Sequence, residues 1–196
     1  KNNILFCENC NIYNLAKNNK TPFYCYSKAT IKRNFMNLTK MFHKISPLIC
    51  FSVKSNNNIF LLDELKKLGS GADVVSVGEL LKALKAGISP KKIVFSGVGK
   101  TEDEIKIAIQ KKILLINIES ENEAIIINKV SKKLSKKTPI GVRLNPNIVG
   151  GTHKKISTAG NKEKFGLLYN DCVRLIKKIQ NMKNLKLEGL SVHIGS

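Results

Sequence analysis

Lys54 closes an apolar run, Leu48-Ile49-Cys50-Phe51-Ser52-Val53, and opens directly onto the polar cluster Ser55-Asn56-Asn57-Asn58. At the carboxyl end of a buried strand a lysine is partly desolvated. That disfavours the ammonium and lowers its pKa, as attack on a carbonyl and Schiff-base formation require. Nearly every other lysine falls on an amphipathic helical pattern or in a polar loop, where a solvated charge is ordinary. Asp73 with Ser76, Arg143 and His193 stand at the ends of other apolar runs. Each has a bland alternative: a lysine reaching into water, a structural ion pair for Arg143, a satisfied histidine in a buried strand for His193.

The elements that must position these groups alternate from Thr21 onward. A short strand is predicted over residues 21–26, followed by a helix capped by Ser27 with Ile31, Phe35, Leu38 and Phe42 on one face. Next come a strand over 48–54, a helix carrying Ile59, Leu62, Leu65 and Leu68 that ends at Gly69, and a strand over 72–75. Ser76–Glu79, Thr101–Glu104 and Ser120–Glu123 read as three capping boxes, separated by strands over 93–96 and 113–118. Strands over 140–144 and 187–194 follow, with a polar loop near 147–166 and a helix showing Val173, Ile176 and Ile179 between them.

Strands separated by crossover helices imply an α/β fold with a parallel sheet covered by helices. About six such strands fall short of the eight strands and roughly 250 residues of a (β/α)8 barrel. A doubly wound sheet could close with six. The barrel is favoured because the reactive side chains gather at the carboxyl ends of different strands. The chain starts at Lys1 and stops at Ser196 just as the sixth strand finishes, so it reads as part of a longer protein.

Composition excludes some functions. The formal charge is +20, yet the lysines are dispersed, arginine occurs only at Arg33, Arg143 and Arg174, and there is no Trp. No aromatic-interleaved basic stripe exists, so no nucleic-acid partner is expected. No apolar run approaches the roughly 20 residues of a membrane span, and no signal peptide pattern opens the chain, so a cytoplasmic protein with no membrane partner is expected. Of the five cysteines, Cys7 and Cys10 have C-x-x-C spacing without a second ligand pair, so no metal is expected. Cys25 and Cys50, in apolar runs, read as small core residues.

These residues and their flanks carry a resemblance to fold-type III pyridoxal 5'-phosphate (PLP) decarboxylases, in particular to the diaminopimelate branch. Phe51-Ser52-Val53-Lys54-Ser55-Asn56 is similar to the family's Y-A-V-K-A-N box. Gly71-Ala72-Asp73-Val74-Val75-Ser76-Val77-Gly78-Glu79-Leu80 resembles its G-A-D-V-V-S-x-G-E-L segment, and Phe95-Ser96-Gly97-Val98-Gly99-Lys100-Thr101 its F-S-G-V-G-K-T segment. Arg143-Leu144-Asn145-Pro146, Thr152-His153, Ile156-Ser157-Thr158, Lys164-Phe165-Gly166 and His193-Ile194-Gly195-Ser196 follow in the family's order. Val149 and Ala159 depart from it, standing where an acidic residue and a glycine are expected.

The resemblance implies an incomplete PLP-binding (β/α)8 TIM barrel of the alanine racemase/decarboxylase type over residues 21–196. Residues 1–20 would be a linker or part of a β-domain of the C-terminal type. It implies PLP-dependent decarboxylation of meso-diaminopimelate to L-lysine and CO2, in a protein that is a homodimer at full length. By the same resemblance Lys54 carries the cofactor, His193 stacks on its ring and Ser196 helps bind its phosphate. Asp73, Glu79 and Arg143 would surround the cofactor, with Glu79 equally suited to completing a helix cap. His153 and Ser157 would border the entrance. The alternatives are a truncated non-catalytic barrel relic or regulator, and a sister ornithine or arginine decarboxylase.

Overall fold

Ser27, Asn58, Ser76, Thr101 and Ser120 each accept a hydrogen bond from a backbone N–H in the first turn of the helix that follows. They start α2 (Lys28–Met41), α3 (Ile59–Lys67), α4 (Val77–Lys85), α5 (Glu102–Lys111) and α6 (Glu121–Lys133). The computed structural model describes residues 4–147 and 165–193. Ahead of these helices, β1 (Phe6–Cys7) and β2 (Cys10–Asn11) pair antiparallel and lead into α1 (Ile12–Asn18). The helices alternate with β3 (Cys50–Ser52), β4 (Gly71–Val74), β5 (Ile93–Phe95), β6 (Leu115–Ile118) and β7 (Thr138–Arg143); α7 (Tyr169–Ile179) and β8 (Leu185–Ser191) follow.

The six later strands form one parallel sheet in the sequential order β3-β4-β5-β6-β7-β8. A doubly wound sheet reverses strand order at a switch point, and this sheet never does. Unbroken sequential order is the barrel arrangement, here with six strands and free edges at β3 and β8. Leu62, Leu80, Ile105, Ile127 and Leu175, one from each of α3 to α7, are at most 1% exposed. They pack onto Val74, Phe95, Ile116 and Val142 from β4 to β7. That helix-on-sheet layer holds the strand ends in place.

Several expectations are corrected. Residues 21–26 form no strand but run outside the sheet, with Tyr24 88% exposed and Cys25 exposed rather than in the core. No residue of α2 is buried, because α2 packs beside α3 at the free β3 edge. Helix α7 buries Cys172, Leu175 and Ile179; of the predicted face Ile179 is buried and Ile176 partly so, while Val173 is exposed. The strand at 48–54 shortens to Cys50–Ser52, and Val53–Ser55 is a single 3₁₀ turn. Only Thr101–Glu104 is a reciprocal capping box. At Ser76 and Ser120 the glutamate carboxylate instead accepts from the residue before the cap, Val75 N at 2.9 Å and Glu119 N at 2.8 Å. Those two caps are extended at φ −154° and −155°, against −79° at Thr101, so the preceding N–H is the one presented.

Candidate active site

Parallel strands put all their carboxyl ends on one rim, and each candidate side chain hangs from that rim. Asp73 lies on β4, Ser96 just past β5, Asn117 on β6, Glu119 just past β6, Arg143 at the end of β7 and His193 two residues beyond β8. Ser96 Oγ donates to Asp73 Oδ1 at 2.7 Å, and Asn117 Nδ2 donates to Ser96 Oγ at 3.2 Å. A polar row thus crosses three strands. Asn117 pairs with Gly141 in the ladder, and a Cβ on Gly141 would stand 2.5 Å from Asn117 Oδ1. Only glycine leaves the amide its place.

The next layer is ionic. Arg143 Nη1 donates to both Glu119 carboxylate oxygens, at 2.9 and 3.1 Å, with the two side chains only 8% and 3% exposed. Glu119 Oε2 also accepts from Gly166 N at 3.0 Å, and Phe165 lies with its ring centroid 5.0 Å from the guanidinium carbon. Glu123, which holds Glu119 N, gives its other oxygen to Lys100 Nζ at 2.6 Å. Lys100 further donates to Gly97 O at 2.6 Å and Asn117 O at 2.7 Å, so all three ammonium protons are used. Its side chain is 1% exposed, against the expectation that the remaining lysines are solvated.

Lys54 is different. It sits on the 3₁₀ turn after the edge strand β3, is exposed, and makes no hydrogen bond or ion pair among the described residues. The predicted burial is therefore corrected: Val53 takes the buried position and Lys54 points out of it, because β3 has a neighbour on one side only. His193 is half-buried, and its Nδ1 is buried without a partner among the described residues. Burial pushes the His193 pKa below its usual value of 6.5, and the Arg143 and Lys54 charges add to this, while Asp73 and Glu119 oppose it. At the amino end of β3, burial and then the Asp73 carboxylate push the Cys50 thiol up to about 11, so it stays protonated.

Glu79 sits on the first turn of α4, its carboxylate on Val75 N as a cap. Ser196, His153, Ser157, Val149 and Ala159 lie outside the described residues. Ser96, Lys100, Asn117, Glu119 and Glu123 complete the rim without having been singled out. Lys100 and Ser96 fell within a quoted segment, and Glu123 within a predicted cap. Asn117 and Glu119 stand inside and just after the predicted 113–118 strand with no motif to mark them, and only strand register reveals their partners.

The family model described as the pyridoxal-binding domain of pyridoxal-dependent decarboxylases matches residues 28–196. The chain belongs to the pyridoxal-dependent decarboxylase family. Diaminopimelate decarboxylase of Vibrio cholerae is 43% identical over 192 residues, 98% of this chain and 46% of the relative. The crystal structure of diaminopimelate decarboxylase from Helicobacter pylori complexed with L-lysine superposes with a TM-score of 0.92 at 41% identity, covering 95% of this chain and 47% of that one. The enzyme from M. jannaschii, in co-complex with L-lysine, gives a TM-score of 0.90 at 35% identity, covering 100% and 47%. The chain spans about half the length of the relatives it matches.

The rim fits a pyridoxal group. Its aldehyde needs an amine with no other partner, and Lys54, which has none among the described residues, would suit it. An anionic aromatic ring is suited by a fixed guanidinium and by an imidazole whose ring nitrogen lacks a partner among the described residues, as Arg143 and His193 would provide.

Proposed function

We propose that this chain is the cofactor-bearing part of a PLP-dependent diaminopimelate decarboxylase, an amino-acid carboxy-lyase that releases CO2 from meso-diaminopimelate and yields L-lysine. The observation that carries the reading is the 43% identity to the Vibrio cholerae enzyme across nearly the whole chain, with Lys54, Asp73, Arg143 and His193 gathered on one rim. Bound pyridoxal phosphate supplies an electron sink for the electron pair left when the α-carboxylate departs. Lys54 holds that cofactor through Nζ. His193, kept neutral near pH 7 by burial, offers an uncharged ring face beside it. Arg143 is a fixed cation and Asp73, oriented by Ser96, a fixed anion on either side of the same space.

Ser196 is the phosphate contact in this reading, and Glu79 acts through the α4 cap that orients the Asp73 strand end. Residues 1–20 belong to a linker or to a β-domain, the protein pairs as a homodimer, and its place is the cytoplasm, with no nucleic-acid partner. No helix among the described residues is long and apolar enough to cross a membrane.

Competing substrates test the proposal. The intact protein should release CO2 from meso-diaminopimelate at least about a hundredfold faster, by kcat/KM, than from ornithine or arginine, because a site built to bind a second amino-acid terminus with its carboxylate rejects analogues that end in an amine or a guanidinium alone. Preference for ornithine would assign it to the sister branch. Tight cofactor binding with no CO2 release from any of these amino acids would support a non-catalytic barrel.

A further inference from the structure

We propose that Glu119 is a positioning residue of this site, its carboxylate fixing Arg143 and the Phe165-Gly166 backbone at one point on the rim and compensating the guanidinium charge beside His193. The proposal rests on the functional reading above for its consequence in catalysis, but not for its geometry.

One carboxylate takes three hydrogen bonds from two directions: two from Arg143 Nη1 and one from Gly166 N at 3.0 Å. A carboxylate 3% exposed and this well bonded has little freedom to move. Its backbone is fixed as well. Glu119 N is held by Glu123, and Glu123 by the buried Lys100, which itself grips the carbonyls of Gly97 and Asn117. The anchoring therefore runs from Lys100 to Glu123, then Glu119, then Arg143. Glu119 can set where Arg143 stands, because its backbone N–H and one carboxylate oxygen have anchors, Glu123 and Gly166 N, that do not involve Arg143.

The charge consequence follows from burial. A guanidinium 8% exposed and stripped of its carboxylate is an uncompensated cation in a weakly screened space. The charges that act on the His193 pKa are Arg143 and Lys54, which lower it, and Asp73 and Glu119, which raise it. Removing the Glu119 charge leaves two cations against one anion. Glu119→Gln keeps acceptor capacity for Gly166 N–H and for one Arg143 proton, so it isolates charge from shape.

The test uses the intact protein and four readouts: the His193 ring titration followed by NMR without cofactor, the pH midpoint of the visible absorption of bound pyridoxal phosphate, the unfolding temperature, and kcat with KM for decarboxylation. In Glu119→Gln both midpoints should fall by about one unit, as expected for an added like charge at short range. Glu119→Asp retains the charge but not the reach, so its His193 midpoint should match the wild type while kcat falls about tenfold at nearly constant KM. Unchanged midpoints in Glu119→Gln, whatever the unfolding temperature, would overturn the proposal. If that variant does not fold, Glu119→Asp decides: wild-type kcat would overturn the proposal, and the kcat loss with an unmoved His193 midpoint would support it. An intact protein that forms no visible band with pyridoxal phosphate would end the functional reading. The cofactor-free His193 titration would still decide the role of Glu119.

Discussion

Lys100 Nζ lies 2.6 Å from Glu123 Oε1, with the two side chains 1% and 10% exposed, and this buried pair ties the loop after β5 to the start of α6. Its remaining protons reach two backbone carbonyls, so the ammonium is saturated. A lysine so held has no lone pair to offer a carbonyl group. Lys54, on the same rim and without a protein partner among the described residues, is free to do so.

Lys100→Met keeps most of the side-chain volume but strands a carboxylate and two carbonyls in a dry site. Breaking one partner of a buried pair costs about 3–5 kcal/mol, which chemical denaturation of the intact protein should register. A loss under about 1 kcal/mol, the range of surface pairs, would show that water reaches Glu123 and Lys100.

His193 makes stability depend on pH. Its folded pKa lies below the ordinary 6.5, so between those two values the unfolded chain binds more protons than the folded one. The contribution of the neutral ring is complete above 6.5 and is lost as pH falls toward the folded value. Replacing His193 with Phe removes this term, so denaturation of the variant should lose less stability on acidification from pH 7 to about pH 5 than the wild type does. An equal or greater loss in the variant would contradict the sign.

Residues 1–196 expressed alone should associate or remain loosely packed. Among the described residues β3 and β8 are parallel edges with no further strand beside them, and Leu190 on β8 and Val192 just past it stand 59% and 50% exposed. Unpaired edges with apolar neighbours recruit other chains. Light scattering should show oligomers, whereas a monomer with a sharp unfolding transition would mean that six strands close a sufficient core.

Much of this molecule was legible in its residue order. Cap residues such as Ser27, Ser76 and Thr101 mark helix starts through local hydrogen bonds, and β-branched runs mark the strands between them. The rhythm left barrel and doubly wound sheets open, and only sequential pairing separated them. Residues 21–26 have strand-like composition but find no neighbour to pair with, a tertiary matter that local pattern does not contain. The position of Lys54 is legible in the sequence, but its exposure is not, because in residue order an edge strand looks like a central one. The Glu119–Arg143 and Lys100–Glu123 pairs join residues more than 20 positions apart, and only strand register and helix placement bring them together.

The central claim is that Lys54, not the buried Lys100, carries pyridoxal phosphate. Borohydride reduction of the intact protein with bound cofactor, followed by peptide mapping, reads this directly. The account predicts a pyridoxyl label on the peptide containing Phe51-Ser52-Val53-Lys54-Ser55-Asn56 and none on Lys100. A label on any other lysine, with Lys54 unmodified, would contradict it.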